Sequence, residues 1–156
     1  MTPVRTLELS CSLDAAPEEV WTRVTSFAGV NDELRPVLRM TWPEERAGLG
    51  IAQAPVGTRL CRSWLLLLGV LPVGFDDVTL VELEALRFVE ESPMTGMRRW
   101  RHERTVTPHG DGCRVTDRLT FEPRIRLAEP LVALGVGWLF RHRHRRLRGR
   151  PQLRAR

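Results

Sequence analysis

Hydrophobic and polar positions change period several times along the chain, and each change marks an element. Over residues 4–13 they alternate, with Arg5, Leu7, Leu9, Cys11 and Leu13 on one side and Val4, Thr6, Glu8 and Ser10 on the other. That predicts a strand whose first set faces inward. After Pro17 the spacing becomes helical. Val20, Trp21, Val24 and Phe27 recur on one face, Pro17 suits the first helical position, and Glu18 and Glu19 complement the positive end of the helix dipole. A second short helix is predicted over residues 30–35, where Pro36 stops it. Leu38, Met40 and Trp42 alternate as a second strand, and residues 43–57, with Gly48, Gly50, Pro55 and Gly57, read as a loop suited to covering a pocket mouth. Further strands are predicted over residues 59–68, 74–84 and 86–91, with residues 92–96 as a turn.

Residues 97–123 form the most informative stretch, a long β-hairpin. Gly110 and Asp111 make a two-residue connection that closes between His109 and Gly112, and this closure fixes the register. One face then pairs Val106 with Val115, Arg104 with Asp117, His102 with Leu119 and Trp100 with Phe121. The other pairs Thr105 with Thr116, Glu103 with Arg118 and Arg99 with Glu122, all complementary. A two-residue slip would set Arg101 against Arg118. The inner face is therefore apolar except for His102, Arg104 and Asp117. A final helix over about residues 127–148, roughly 30 Å long, carries Leu127, Leu131, Leu134 and Trp138 at spacings of three and four, and this stripe is predicted to face the sheet. Gly135 and Gly137 weaken the helix intrinsically, so packing must hold it.

Composition changes this picture in three ways. All 24 basic residues are arginine, and tyrosine is absent. Schiff-base, pyridoxal-phosphate and P-loop lysine chemistry are thereby excluded, as is any tyrosine acid. The net charge of +5 is concentrated at one end: residues 141–156 hold eight arginines and no acid, leaving sixteen arginines against nineteen acids before them. Finally, Cys11, Cys61 and Cys113 are single and far apart, which suggests neither a disulfide framework nor a metal site and fits a reducing, cytoplasmic setting. The longest apolar stretches, 64–73 and 131–140, are ten residues each, against about 20 needed to cross a bilayer. The expected organisation is one domain over residues 1–149 and a basic, disordered tail over 150–156.

Several segments carry a resemblance to the START-related superfamily, which includes lipid-transfer domains, polyketide cyclases or dehydrases, and major pollen allergens. They are residues 14–21 opening the first helix, residues 64–72, Trp100 to His102 followed by Thr116 to Arg118, and the Arg-His-Arg-His-Arg-Arg-Leu run at 141–147. The resemblance implies an α+β helix-grip fold: a curved antiparallel β-sheet wrapped around a long C-terminal helix, with two short helices after strand 1 and an apolar cavity between sheet and helix. It also implies a small hydrophobic or amphipathic ligand, lipid included. Bacterial proteins of this kind often carry cyclase or dehydrase labels, which describe a superfamily and establish no chemistry.

The candidate ligand-binding residues are Trp64, Leu66, Trp100, His102, Arg104, Asp117, Leu119, Phe121, Leu131, Leu134 and Trp138. Arg104 and Asp117 are placed to pair bidentately, either as an internal salt bridge or as an anchor for a ligand's polar end. His102 is the single histidine predicted inside and the only candidate acid or base. Neither Ser63 nor Cys113 has a base beside it, so no nucleophile is indicated and no cofactor is called for. Binding without catalysis is the favoured reading. One alternative is a cyclase, aromatase or dehydratase in which Arg104 steadies an enolate oxygen. Another is attachment to an anionic membrane surface through Arg141, Arg143, Arg145, Arg146 and Arg148, against the plainer reading of a solvated helix end. His142 and His144, two apart on a helix, point in different directions and make no metal site, and the tail lacks aromatic residues for sequence-specific nucleic-acid contact.

Overall fold

The computed structural model describes residues 4–46 and 48–150. Its elements are β1 (Arg5–Leu13), α1 (Pro17–Thr25), α2 (Phe27–Leu34), β2 (Leu38–Met40), β3 (Arg59–Leu67), β4 (Leu71–Glu84), β5 (Arg87–Glu91), β6 (Met97–His109), β7 (Gly112–Pro123) and α3 (Glu129–Arg148). Short 3-10 turns occupy Glu44–Arg46, Ile51–Gln53 and Arg126–Ala128. The seven strands form one antiparallel sheet in the order β1-β7-β6-β5-β4-β3-β2, curled into a half-barrel, and α3 lies in its concavity. This is the α+β helix-grip architecture. The basic tail expected over 150–156 lies, apart from Arg150, outside the described residues.

The hairpin register is the one the sequence predicts: Val106 opposes Val115, Arg104 opposes Asp117, His102 opposes Leu119 and Trp100 opposes Phe121. Gly110 takes a positive φ of 57°, as the first position of a Gly-X hairpin turn requires. Gly112 is needed for a different reason, since a Cβ there would lie 2.0 Å from the Leu13 carbonyl oxygen at the end of β1.

Besides β4, which starts at Leu71 rather than at residue 74, two predicted elements differ. The second helix begins at Phe27 rather than at residue 30, because Ser26 breaks the chain between α1 and α2. Its hydroxyl donates to the Arg23 carbonyl at 2.8 Å and accepts from the Gly29 amide at 3.0 Å, an N-cap that starts α2 three residues earlier. The second difference is the face of α3. Leu131, Leu134 and Trp138 are exposed, Leu131 by 75% and Leu134 by 66%, as is Leu127 in the 3-10 turn before the helix. The helix instead buries Gly137, Phe140, Arg143, His144 and Leu147, with Val132, Ala133 and Val136 packed on Trp100, Leu119 and Phe121. Both stripes have helical spacing. The inner one carries the two side chains, Arg143 and His144, that have buried carboxylates waiting for them.

Candidate functional site

A cavity of about 160 Å³ lies between the sheet, α2 and α3. Its wall is mostly apolar, including Val24 and Leu34 from the first helices, Met40 and Trp42 from β2 and the residues after it, Ile51 from the loop, and Phe140 from α3. Four charged or titratable side chains interrupt it: Asp76, Glu90, His102 and Arg143. Their arrangement follows from strand parity. Asp76 and Val78 share the inner face of β4, as do Trp100, His102 and Arg104 on β6.

Beneath this wall runs a buried ionic chain. Asp117 accepts four hydrogen bonds, each of 2.7 Å: Oδ1 from Arg104 Nε and His102 Nε2, Oδ2 from Arg104 Nη2 and His144 Nε2. Arg104 also donates through Nη1 to Glu33 Oε1 at 2.8 Å, and Glu33 Oε2 accepts from Arg143 Nε at 2.9 Å. Arg104 and Asp117 are wholly inaccessible to solvent. Burial alone would raise the Asp117 carboxyl, but the charge and hydrogen bonds of Arg104, with His102, hold it well below the usual carboxylate range. Burial likewise opposes the Arg104 charge, and Asp117 and Glu33 overcome it, so its pKa rises well above the ordinary value. An ionised Asp117 accepts only, so each histidine donates to it from a protonated Nε2.

His102 continues the chain toward β5. Its Nδ1 lies 3.8 Å from Glu90 Oε2, while Glu90 Oε1 accepts from the Ser92 hydroxyl at 2.6 Å. Burial pushes Glu90 upward, yet contact with His102, Ser92 and Asp76 brings it below its ordinary value. Asp76 moves the other way, well above the usual range, through burial and the neighbouring Glu90. The two neighbouring acids are thus pushed in opposite directions. Edge-on contacts with Phe88 and Phe140, centroids 5.4 and 5.1 Å away, fix the His102 ring between them.

Of the residues singled out in the sequence, Trp100 and His102 line the cavity. Arg104 and Asp117 pair bidentately beneath it, and Leu119 and Phe121 are wholly buried in the core beside Trp100 and Phe140. Trp64 is a correction: it is half-exposed and meets Phe75 edge-on at 5.8 Å, while Leu65, not Leu66, reaches the cavity. Leu131, Leu134 and Trp138 lie on the outer face of α3. His102 is not the single inward histidine, since His144 is 3% exposed and shares Asp117 with it. Nor is Arg143 part of a solvated helix end: it is buried against Glu33, whereas Arg141, Arg145 and Arg148 are exposed. Sequence reasoning missed Glu33, Asp76 and Glu90. Each carried a signal, an acid at an inward strand position or on the apolar face of a short helix.

Among the described residues no cluster of three or more His, Cys, Asp or Glu side chains is arranged to hold a metal ion, and no helix is long and apolar enough to cross a membrane. No curated protein sequence matches the chain. Solved structures share its fold at low identity. A protein from Chromobacterium violaceum superimposes with a TM-score of 0.68 at 17% identity, over 94% of this chain and 97% of the other. A START superfamily protein from Mycobacterium smegmatis gives 0.68 at 14% identity, over 92% and 94%. Ara h 8.0201 gives 0.56 at 8% identity, over 91% and 96%. The helix-grip fold is thus the one the sequence resemblance implies. A family model covers residues 11–150, from within β1 to just past α3, and the chain belongs to that family, described as Domain of unknown function (DUF8410).

Proposed function

We propose that the chain binds a small apolar or amphipathic molecule in the cavity between sheet and α3, without transforming it. The observation that carries this reading is the cavity itself, about 160 Å³ of space walled by aromatic and aliphatic side chains and interrupted by four polar ones. Space of this order takes a benzene-sized molecule in an apolar protein interior. The polar groups would meet the ligand's polar end. Arg104 and Asp117 stand one layer back and act through His102 and, by way of Glu33, Arg143. Catalysis of the cyclase or dehydratase type finds less support. His102 Nε2 is bonded to Asp117, and Arg104 is occupied by two carboxylates. Titration of the full chain with toluene or indole, followed by NMR of the tryptophan indole resonances, tests the reading. Saturable shifts at Trp42 and Trp100, abolished by Val136→Trp, are the expected result; the absence of any saturable shift refutes it.

A second reading, attachment to an anionic membrane surface, is favoured by the outer face of α3. Leu131, Leu134 and Trp138 are exposed there, with Leu127 exposed in the turn before it, and Arg141 and Arg145 continue the same spacing. Apolar surface followed by cationic surface suits a bilayer interface carrying negative charge. Co-sedimentation with phosphatidylcholine vesicles, with and without phosphatidylserine, should show binding only with the anionic lipid, weakened by salt and lost in Leu131→Glu/Leu134→Glu. Equal behaviour with both vesicle types removes this reading.

A further inference from the structure

Two residues that line the cavity each carry a buried polar atom with no hydrogen-bond partner: Trp42 Nε1 and Asp76 Oδ1. Directly across the β3–β4 pairing from Asp76 stands Ser63, fully buried, whose hydroxyl is also unpartnered. Native interiors seldom leave such groups bare, since each costs on the order of 1–3 kcal/mol. Both atoms sit on side chains that are otherwise well fixed. Trp42 stacks on Phe27, ring centroids 3.9 Å apart and planes within 8°, and Asp76 is held against Glu90 and Ser92.

Their chemical characters are opposite. Trp42 Nε1 is a donor and nothing else. Asp76 Oδ1 is a carboxyl oxygen left without a donor, and it accepts a hydrogen bond. Beside it lies a second buried acid, Glu90. A ligand carboxylate at this end would add a third acid to two already buried together.

We propose that the cavity selects an uncharged, ring-bearing small molecule that gives a hydrogen bond to Asp76 Oδ1 and accepts one from Trp42 Nε1, as an arene carrying both a hydroxyl and a carbonyl group would. This deepens the ligand-binding reading above and rests on it. The aromatic lining supplies the ring preference: Trp42, Phe88, Trp100 and Phe140 all border the space.

The test needs no natural ligand. Affinities of the full chain are measured by calorimetry for 3- and 4-hydroxybenzaldehyde, benzaldehyde, 3-ethylphenol, toluene and 3-hydroxybenzoate. At least one hydroxybenzaldehyde should bind about tenfold or more tightly than benzaldehyde, 3-ethylphenol and toluene, and 3-hydroxybenzoate should bind more weakly than its aldehyde. Asp76→Asn should keep this preference, because its amide donates to Glu90 and leaves a carbonyl where Oδ1 stood. Asp76→Leu should lose the preference for the hydroxyl, and Trp42→Phe the preference for the carbonyl while keeping the stack on Phe27. If toluene binds as well as the hydroxybenzaldehydes, or 3-hydroxybenzoate binds best, or Asp76→Leu leaves the ranking intact, the polar selection is refuted while the cavity remains a binding site. If no probe binds, toluene included, the ligand-binding reading fails with it.

Discussion

Replacing Arg104 by Met isolates the electrostatics of the buried chain, because the methionine stem fills much of the same space without the charge. The change removes two hydrogen bonds from Asp117 and one from Glu33. Glu33 keeps Arg143 and Asp117 keeps two histidines, but a buried carboxylate has lost its guanidinium. Breaking a buried pair in this way costs about 3–5 kcal/mol, which for a domain of this size is a fall in Tm of roughly 6–20 °C. The pH dependence distinguishes lost charge pairing from lost packing. In the native chain Asp117 has a depressed folded pKa, so its stabilisation is present above the unfolded value near pH 4 and disappears as pH falls through the folded value. Without Arg104 the dominant lowering influence is gone and burial raises the group, so protonating it relieves the variant. Urea unfolding of both proteins across a pH series should therefore give a stability gap that is widest near neutrality and narrows toward pH 4. A gap below about 1 kcal/mol near neutrality, or one that does not change with pH, would refute the account of Asp117 as a buried anion held by Arg104.

Asp76 should show the opposite sign. Its folded pKa is raised, so the native chain loses stability as pH climbs from the unfolded value through the folded one; Asp76→Asn removes that loss, and urea unfolding should find it more stable relative to the native chain at neutral pH than near pH 4. Burial pushes the Cys11 thiol up to about 12 and raises Cys61 and Cys113 as well. All three should resist Ellman's reagent in the folded protein at pH 8 and react together once urea unfolds it; rapid labelling of any of them in the native state contradicts their burial. Gly112→Ala should destabilise strongly, because its Cβ meets backbone at 2.0 Å rather than a side chain able to turn away. Gly48→Ala, with open space around it, should leave Tm nearly unchanged in the same thermal melt.

The hairpin was legible because a short turn leaves no freedom of register and the charges on both faces agree with it. Elsewhere the pattern was ambiguous for physical reasons. A run of four leucines over residues 65–68 has no alternation to set parity, and the β3–β4 register shifts between Leu65 and Leu66, so Trp64 and Leu66 were assigned inward when Ser63 and Leu65 take that side. On α3 two stripes compete, and a rule that buries apolar residues chooses Leu131, Leu134 and Trp138. The choice is made instead by Glu33 and Asp117, which lie 110 and 27 residues from the groups they receive. No local pattern carries such a pairing. Ser26 is a separate case: the helical spacing of Val24 and Phe27 runs across it, so the pattern shows neither the end of one helix nor the cap of the next.

The contacts of Arg143 and His144 also settle where α3 sits along its own axis. Apolar packing is tolerant of translation: a slide by one turn in one direction would put Val132 where Val136 lies and Val136 where Phe140 lies, apolar for apolar. The same slide would bring Leu139 to Glu33 and Phe140 to Asp117. Two buried carboxylates that now receive an arginine and a histidine would then face hydrocarbon or a misplaced side chain, at several kcal/mol each. Burial of area holds the helix against the sheet, and the ion pairs remove the freedom to ratchet.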